Sequence, residues 1–348
     1  MRALAMLAVI GCGRIGFVEQ SVHSTLSLDR KDPGEVLADF PLLVVLDDVR
    51  ADRRLFMSDA SDVRFLDSSG NVLAHELEQV GEIGGAPLVA WVRVPTITGT
   101  STQIVVRYGV GAPPASSDSA WSSEYEAVWH LADADSSGAS DATGNHPGTA
   151  NGTDTAPGLI ANGRSFSSNQ LSVIVVPDAP SLGFNAITAS GWMYLRTAPI
   201  AYAALVDREL DAGAANDIYL GDKLGQIFYT VRAGASNTGV TTGSLGPGQW
   251  HHIAMTVDAA RFAAYFDGVP LKSGPTAGAL AHSPNPVMLG ACRNNIDGTN
   301  RTTIPDTDFI DGVLDEVRLE NVVRSPAWIA YDVLAMQDGA ITYGAIEY

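Results

Sequence analysis

Past its first dozen residues the chain shows almost no helical periodicity, and it returns again and again to the two-residue period of pleated strands. Leu88, Ala90, Val92 and Val94 alternate with Val89, Trp91 and Arg93, which reads as a half-buried strand. Comparable runs, Phe40 to Leu46, Val63 to Leu66 and Ile104 to Tyr108, are bounded by turn formers such as Asp67-Ser-Ser-Gly70. Further on, Ile187 to Leu195, Gln226 to Val231, Trp250 to Val257 and Gly312 to Glu320 repeat the pattern, and Asp267-Gly268 marks a hairpin. Sheets made this way must bury one face against another sheet, so the fold class is all-β. With 348 residues and 46% hydrophobic content, two domains with real cores are expected. One helix stands out near the end: Ser325 supplies the N-cap, Pro326 the first helical position, and the helix runs on to Met336.

The start of the chain carries a motif with two readings. Leu7 to Gly16 contains Gly11-x-Gly13-x-x-Gly16 after an apolar run, the spacing of a dinucleotide-binding turn. That turn works only where strands alternate with helices, and the β text that follows excludes such a layer. The same residues resemble a bacterial lipobox: Arg2 is basic, Ala3 to Ile10 are apolar, and small Gly11 precedes Cys12. This resemblance implies a signal peptide over 1–11, lipidation of Cys12, and a tether over 12–36. The protein would be secreted across the inner membrane and held as a lipoprotein at the outer membrane or cell surface. Each buried CH₂ of the acyl chains would contribute about 0.8 kcal/mol. The other cysteine, Cys292, lies in an apolar run and reads as an inert buried thiol. Two cysteines exclude both a disulfide framework and a cysteine zinc site. A net charge of −18 opposes nucleic acid and anionic lipid, so the lipid on Cys12 is the sole expected membrane contact.

Two resemblances follow from ordered landmarks. Asp39-Phe40-Pro41-Leu42, Asp62-Val63-Arg64-Phe65, His75-Glu76-Leu77-Glu78, Ala90-Trp91-Val92-Arg93-Val94 and Arg107-Tyr108-Gly109 resemble the bacterial DUF2341 family, over residues 37–115. This implies a small antiparallel β-sandwich and brings no function with it. After a small-residue linker, Ser190-Gly191-Trp192-Met193, Gly248 to Ala254, Ala264 to Gly268, Met288-Leu289-Gly290 and Phe309 to Leu319 resemble the laminin-G-like, concanavalin A-like jelly roll, over residues 121–345. That fold serves lectins and glucanases alike.

The glucanase chemistry needs two carboxylates about 5 Å apart on one strand face. By strand parity Asp311, Val313, Asp315, Val317 and Leu319 share a face, which sets Asp311 and Asp315 about 13 Å apart, too far for a retaining pair. A catalytic role is therefore not expected. Calcium is a possible cofactor, because the loop from Ala132 to Thr155 is dense in oxygen donors. By the jelly-roll resemblance the ligands would be Asp141, Asp315 and, less directly, Asn145; the alternative is that Asp141 makes an Asx-turn and Asp315 caps backbone amides. Adjacent His251 and His252 point to opposite faces and cannot chelate together. Trp192, Trp250 and Trp328 sit in fold landmarks and read as core, leaving Tyr194, Tyr202 and Tyr219 as an exposed ligand platform. The expectation is an envelope-anchored, non-enzymatic protein that binds an extracellular glycan or an envelope protein, with a structural spacer as the alternative.

Overall fold

The computed structural model describes residues 21–30, 34–99, 102–109, 111–199, 202–211, 215–234, 236–292 and 308–348. Cys12 lies outside them. The described residues form two antiparallel β-sandwiches and one α-helix, and no helix among them is long and apolar enough to cross a membrane.

The first sandwich faces a four-stranded sheet, in the order Ile341–Tyr343, Val22–Leu28, Gln103–Tyr108, Arg64–Asp67, against a three-stranded sheet, Leu37–Leu46, Leu88–Ile97, His75–Gln79. Leu26, Phe65, Ile104 and Val106 from one sheet meet Phe40, Leu42, Val44 and Val92 from the other. Two boundaries differ from the sequence reading. Val22–Leu28, expected in the tether, is a strand whose alternate residues Val22, Ser24, Leu26 and Leu28 are buried. Its outer neighbour is Ile341–Tyr343, expected in the jelly roll, with Leu26 opposite Tyr343. Without these two strands Gln103–Tyr108 would keep one partner and an open edge, so both chain ends are needed to finish the first sandwich.

The second sandwich is the jelly roll. One sheet runs Asp154–Pro157, Asn162–Phe166, Gly312–Glu320, Ala186–Leu195, Trp250–Asp258, Arg261–Phe266, Val269–Pro275, with Tyr125–Trp129 also paired to Gly312–Glu320. The facing sheet runs Ser236–Thr242, Gln226–Ala233, Ala215–Lys223, Tyr202–Asp211, Val287–Leu289, Val173–Val176, Gly148–Asn151, Gly138–Ala139. Met193, Ile253, Met255 and Leu319 of the first sheet pack on Ile174, Leu205, Leu220 and Leu289 of the second. Asp267 and Gly268 both have positive φ, as the hairpin signal requires.

The Gly312–Glu320 strand breaks the parity its sequence suggests. Opposite Ser190 lies Arg318, but opposite Trp192 lies Asp315, so Glu316 and Val317 share one position and Glu316 takes φ +52°. The bulge slips the alternation by one residue. Leu314, Val317 and Leu319 therefore all face the jelly-roll core, while Glu316, Arg318 and Glu320 face away from it. The expected face shared by Asp311, Val313, Asp315, Val317 and Leu319 does not exist. Asp311 instead pairs with Arg196 at 3.2 Å in a partly exposed position.

The helix Pro326–Met336 and the three-stranded sheet close over that outward face. Ser325 caps the helix, its Oγ accepting from the Trp328 amide at 3.1 Å and donating to Glu35 at 2.7 Å. Phe40 packs on Trp328 and Tyr331 at 5.0 and 5.1 Å between ring centroids. Leu43, Val89 and Trp91 of the first sandwich join Val128 and Trp192 of the second in one apolar cluster.

Candidate functional site

Because the bulge turns charged residues outward and the first sandwich covers them, a polar cluster is largely buried between the two units. Arg318, 1% exposed, donates to Glu316 at 2.8 Å and to Asp332 of the helix at 3.2 Å. Its guanidinium lies 4.5 Å from the Trp91 ring centroid and 5.0 Å from that of Trp121. His130, just past the Tyr125–Trp129 strand, places Nδ1 2.6 Å from Glu316 Oε1 and 3.7 Å from Glu78 Oε2. The Trp91 indole donates to Glu78 Oε2 at 2.8 Å, and the Trp121 indole to Glu76 Oε2 at 2.6 Å. A cleft of about 220 Å³ reaches Glu76, Glu78 and His130, with Asp133 and Ser140 on its wall.

Electrostatics at this junction follows from crowding. Burial and then the neighbouring Glu316 push the Glu78 carboxyl up to about 7. Burial, then Glu316, raises Asp315 well above the carboxylate range. Burial opposes a charged imidazole at His130, yet Glu316 and Glu78 outweigh it and hold His130 well above its ordinary value. Glu316 itself is lowered: burial works against ionisation, and His130 and Arg318 overcome it.

Of the residues singled out from the sequence, only Asp315 lies at this junction. Asp141 accepts from the amides of Val128, Thr143, Asn145 and His146 and from the Thr143 hydroxyl, at 2.7 to 3.1 Å. These donors occupy the lone pairs a carboxylate offers, so Asp141 closes its loop and leaves no oxygen for a cation. Asn145 joins it through a backbone amide, and its side chain points to Glu126 O at 3.4 Å. Asp315 is fully buried and receives the Ile160 amide at 2.9 Å. His251 bonds Asp267 at 3.0 Å, while His252 is buried against Trp192.

Among the tyrosines, Tyr219 corrects the expectation of exposure: it is fully buried, because it lies on the central Ala215–Lys223 strand, and its hydroxyl donates to Asp222 O at 2.7 Å. Half-buried Tyr202 and Phe228 pack against it with centroids 5.8 and 5.4 Å away, and Lys223 Nζ lies 5.0 Å from both outer rings. Burial pushes the adjoining Asp222 up to about 6. Tyr194 stands apart, half-buried beside Trp250 at 5.7 Å. The sequence reading missed Glu76, Glu78, His130, Glu316 and Arg318. A signal was present: ionisable residues at alternate positions of an otherwise apolar run, as in Glu316, Arg318 and Glu320 alternating with Val317 and Leu319.

Comparison with known proteins bears on both units. Residues 166–330 match the model of the concanavalin A-like lectin/glucanases superfamily, and residues 59–133 match DUF2341, a domain of unknown function. The chain joins a DUF2341 domain to a concanavalin A-like domain. The DUF2341 domain thus supplies Glu76, Glu78 and Trp91 to the junction, and the concanavalin A-like domain supplies Glu316 and Arg318. No curated protein matches the chain. Similar solved structures include domain 4 of AbnA, an extracellular arabinanase of Geobacillus stearothermophilus in complex with arabinotriose (20% identity, 60% of this chain, 98% of that chain, TM-score 0.46). Another is the binding domain of Paraclostridial Mosquitocidal Protein 1 (15% identity, 60% of this chain, 52% of that chain, TM-score 0.47). A third is the binding domain of botulinum neurotoxin DC in complex with rat synaptotagmin II (11% identity, 62% of this chain, 52% of that chain, TM-score 0.48). The chain spans about half the length of these two toxin binding domains.

Proposed function

We propose that this protein is a non-catalytic binding lipoprotein, anchored through Cys12, whose concanavalin A-like domain takes an extracellular glycan or an envelope protein. The observation that carries the reading is the aromatic shelf of Tyr202 and Phe228 over Tyr219, flanked by Lys223. These rings lie outside the core between the jelly-roll sheets. Half-buried rings with a cation at their edge offer the apolar face and a fixed polar group that a sugar or a peptide side chain needs. Supporting a binding role over hydrolysis, Glu316 is fully buried and already paired with His130 and Arg318.

The test is a glycan array and an envelope-protein pull-down with wild type and Tyr202→Ala, each with and without chelator. Binding lost in Tyr202→Ala supports the shelf. Full binding by a folded variant would move the site elsewhere, and binding to envelope proteins alone would favour the spacer role. Metabolic labelling with a fatty-acid analogue, comparing wild type with Cys12→Ala, tests the anchor: label in wild type only is expected.

A further inference from the structure

We infer that Glu78, His130 and Glu316 form a site for one divalent cation of the zinc class, which fastens the DUF2341 domain to the concanavalin A-like domain. One ligating atom from each side chain lies within 4.8 Å of the other two. Glu78 belongs to the first sandwich, His130 follows the first strand of the second, and Glu316 stands on the bulge. Two carboxylate oxygens and an imidazole nitrogen suit zinc, which takes such donors in a tetrahedron at about 2 Å. This reading is independent of the aromatic shelf.

Both carboxylates are already oriented from behind. Trp91 holds Glu78 Oε2, and Arg318 holds Glu316 Oε2, both at 2.8 Å. On the far side of the imidazole, His130 Nε2 makes no hydrogen bond but faces Glu76 Oε2 at 3.7 Å, and Trp121 holds that carboxylate. Hydrogen bonds of the first kind fix the direction of metal-binding carboxylates. The second observation is Glu78 Oε1. Its side chain is 2% exposed, and this oxygen makes no hydrogen bond. A buried carboxylate oxygen left without a donor is expensive, and a cation is the partner that relieves it.

Charge points the same way. Glu76, Glu78 and Glu316 converge on His130, and Glu316 and Asp332 on Arg318, so the carboxylates outnumber the basic groups they face and a divalent ion would offset the excess. Histidine and carboxylate ligands bind a metal ion in their deprotonated forms, so affinity rises with pH. The cleft lined by Glu76, Glu78, His130 and Asp133 gives an entry path and room for water as the fourth ligand.

Full-length protein stripped with chelator is titrated with zinc sulfate by calorimetry at about pH 8, and with cobalt followed by visible absorption. Wild type is expected to bind one ion per chain with proton release and to gain melting temperature. Glu78→Gln keeps the shape of the side chain and an acceptor for Trp91, and should bind zinc at least about tenfold more weakly with no zinc-dependent rise in melting temperature. His130→Gln should behave alike; if it does not fold, Glu78→Gln and the wild-type melting shift decide. Absence of stoichiometric zinc or cobalt in wild type, or full affinity in folded Glu78→Gln, overturns the inference.

Discussion

Replacing Arg318 with methionine removes the guanidinium that pairs with buried Glu316 and Asp332 between the two domains. The side chain is 1% exposed, bonds Glu316 at 2.8 Å and Asp332 at 3.2 Å, and lies over the Trp91 and Trp121 rings. Methionine fills much of the same space, so the cavity cost is small and the dominant loss is electrostatic. Stranding one partner of a buried ion pair costs about 3–5 kcal/mol. For a domain of this size each kcal/mol lowers the melting temperature by about 2–4 °C, so Arg318→Met should melt roughly 6 to 20 °C lower. The assay is thermal unfolding followed by tryptophan fluorescence, because Trp91 and Trp121 report the junction directly. Arg318→Met combined with Glu316→Gln should recover part of the loss, since the second change removes the charge the first one strands. A fall of less than about 2 °C in Arg318→Met would refute the claim that this ion pair network carries junction stability.

Further outcomes follow from the same geometry. Glu78 and Glu320 are both pushed up to about 7, burial being the first cause, so the folded chain holds protons that the unfolded chain releases from about pH 4.5 upward. Their contribution to stability is therefore fully present below about pH 4.5 and is lost as pH rises through 7; urea titrations should show Glu320→Gln with a flatter decline over that window than wild type. Tyr219→Ala should cost about 3–5 kcal/mol in urea unfolding, as for a fully buried aromatic ring, whereas Tyr202→Ala should stay within about 1–2 kcal/mol. Gly290 has φ +83°, and a Cβ there would sit 2.3 Å from the Phe166 ring, so Gly290→Ala should lower stability by about 3 kcal/mol or more in the same assay.

Much of the fold was legible because local chemistry writes it. The alternation of Leu88 to Val94, the Asp267-Gly268 turn and the Ser325-Pro326 helix start are set by neighbours in sequence, and each appears where those neighbours place it. The two domains were legible in order for the same reason. Val22–Leu28 was harder to read: its alternate polar residues resemble a tether until a sheet gives their neighbours a core to face.

What the sequence by itself determined is the β character, the two domains in their order, and the helix that ends the second. Tertiary structure decided the rest. One extra residue at the Glu316 bulge slips the side-chain period of a strand, and so moves Glu316, Arg318 and Glu320 from the expected register to the face beneath the first sandwich. A slip of that kind costs the sequence nothing visible, since period-two patterning specifies alternation but not where it skips. Likewise, pairing Ile341–Tyr343 with Val22–Leu28 joins residues more than three hundred positions apart, and no local preference encodes such a contact.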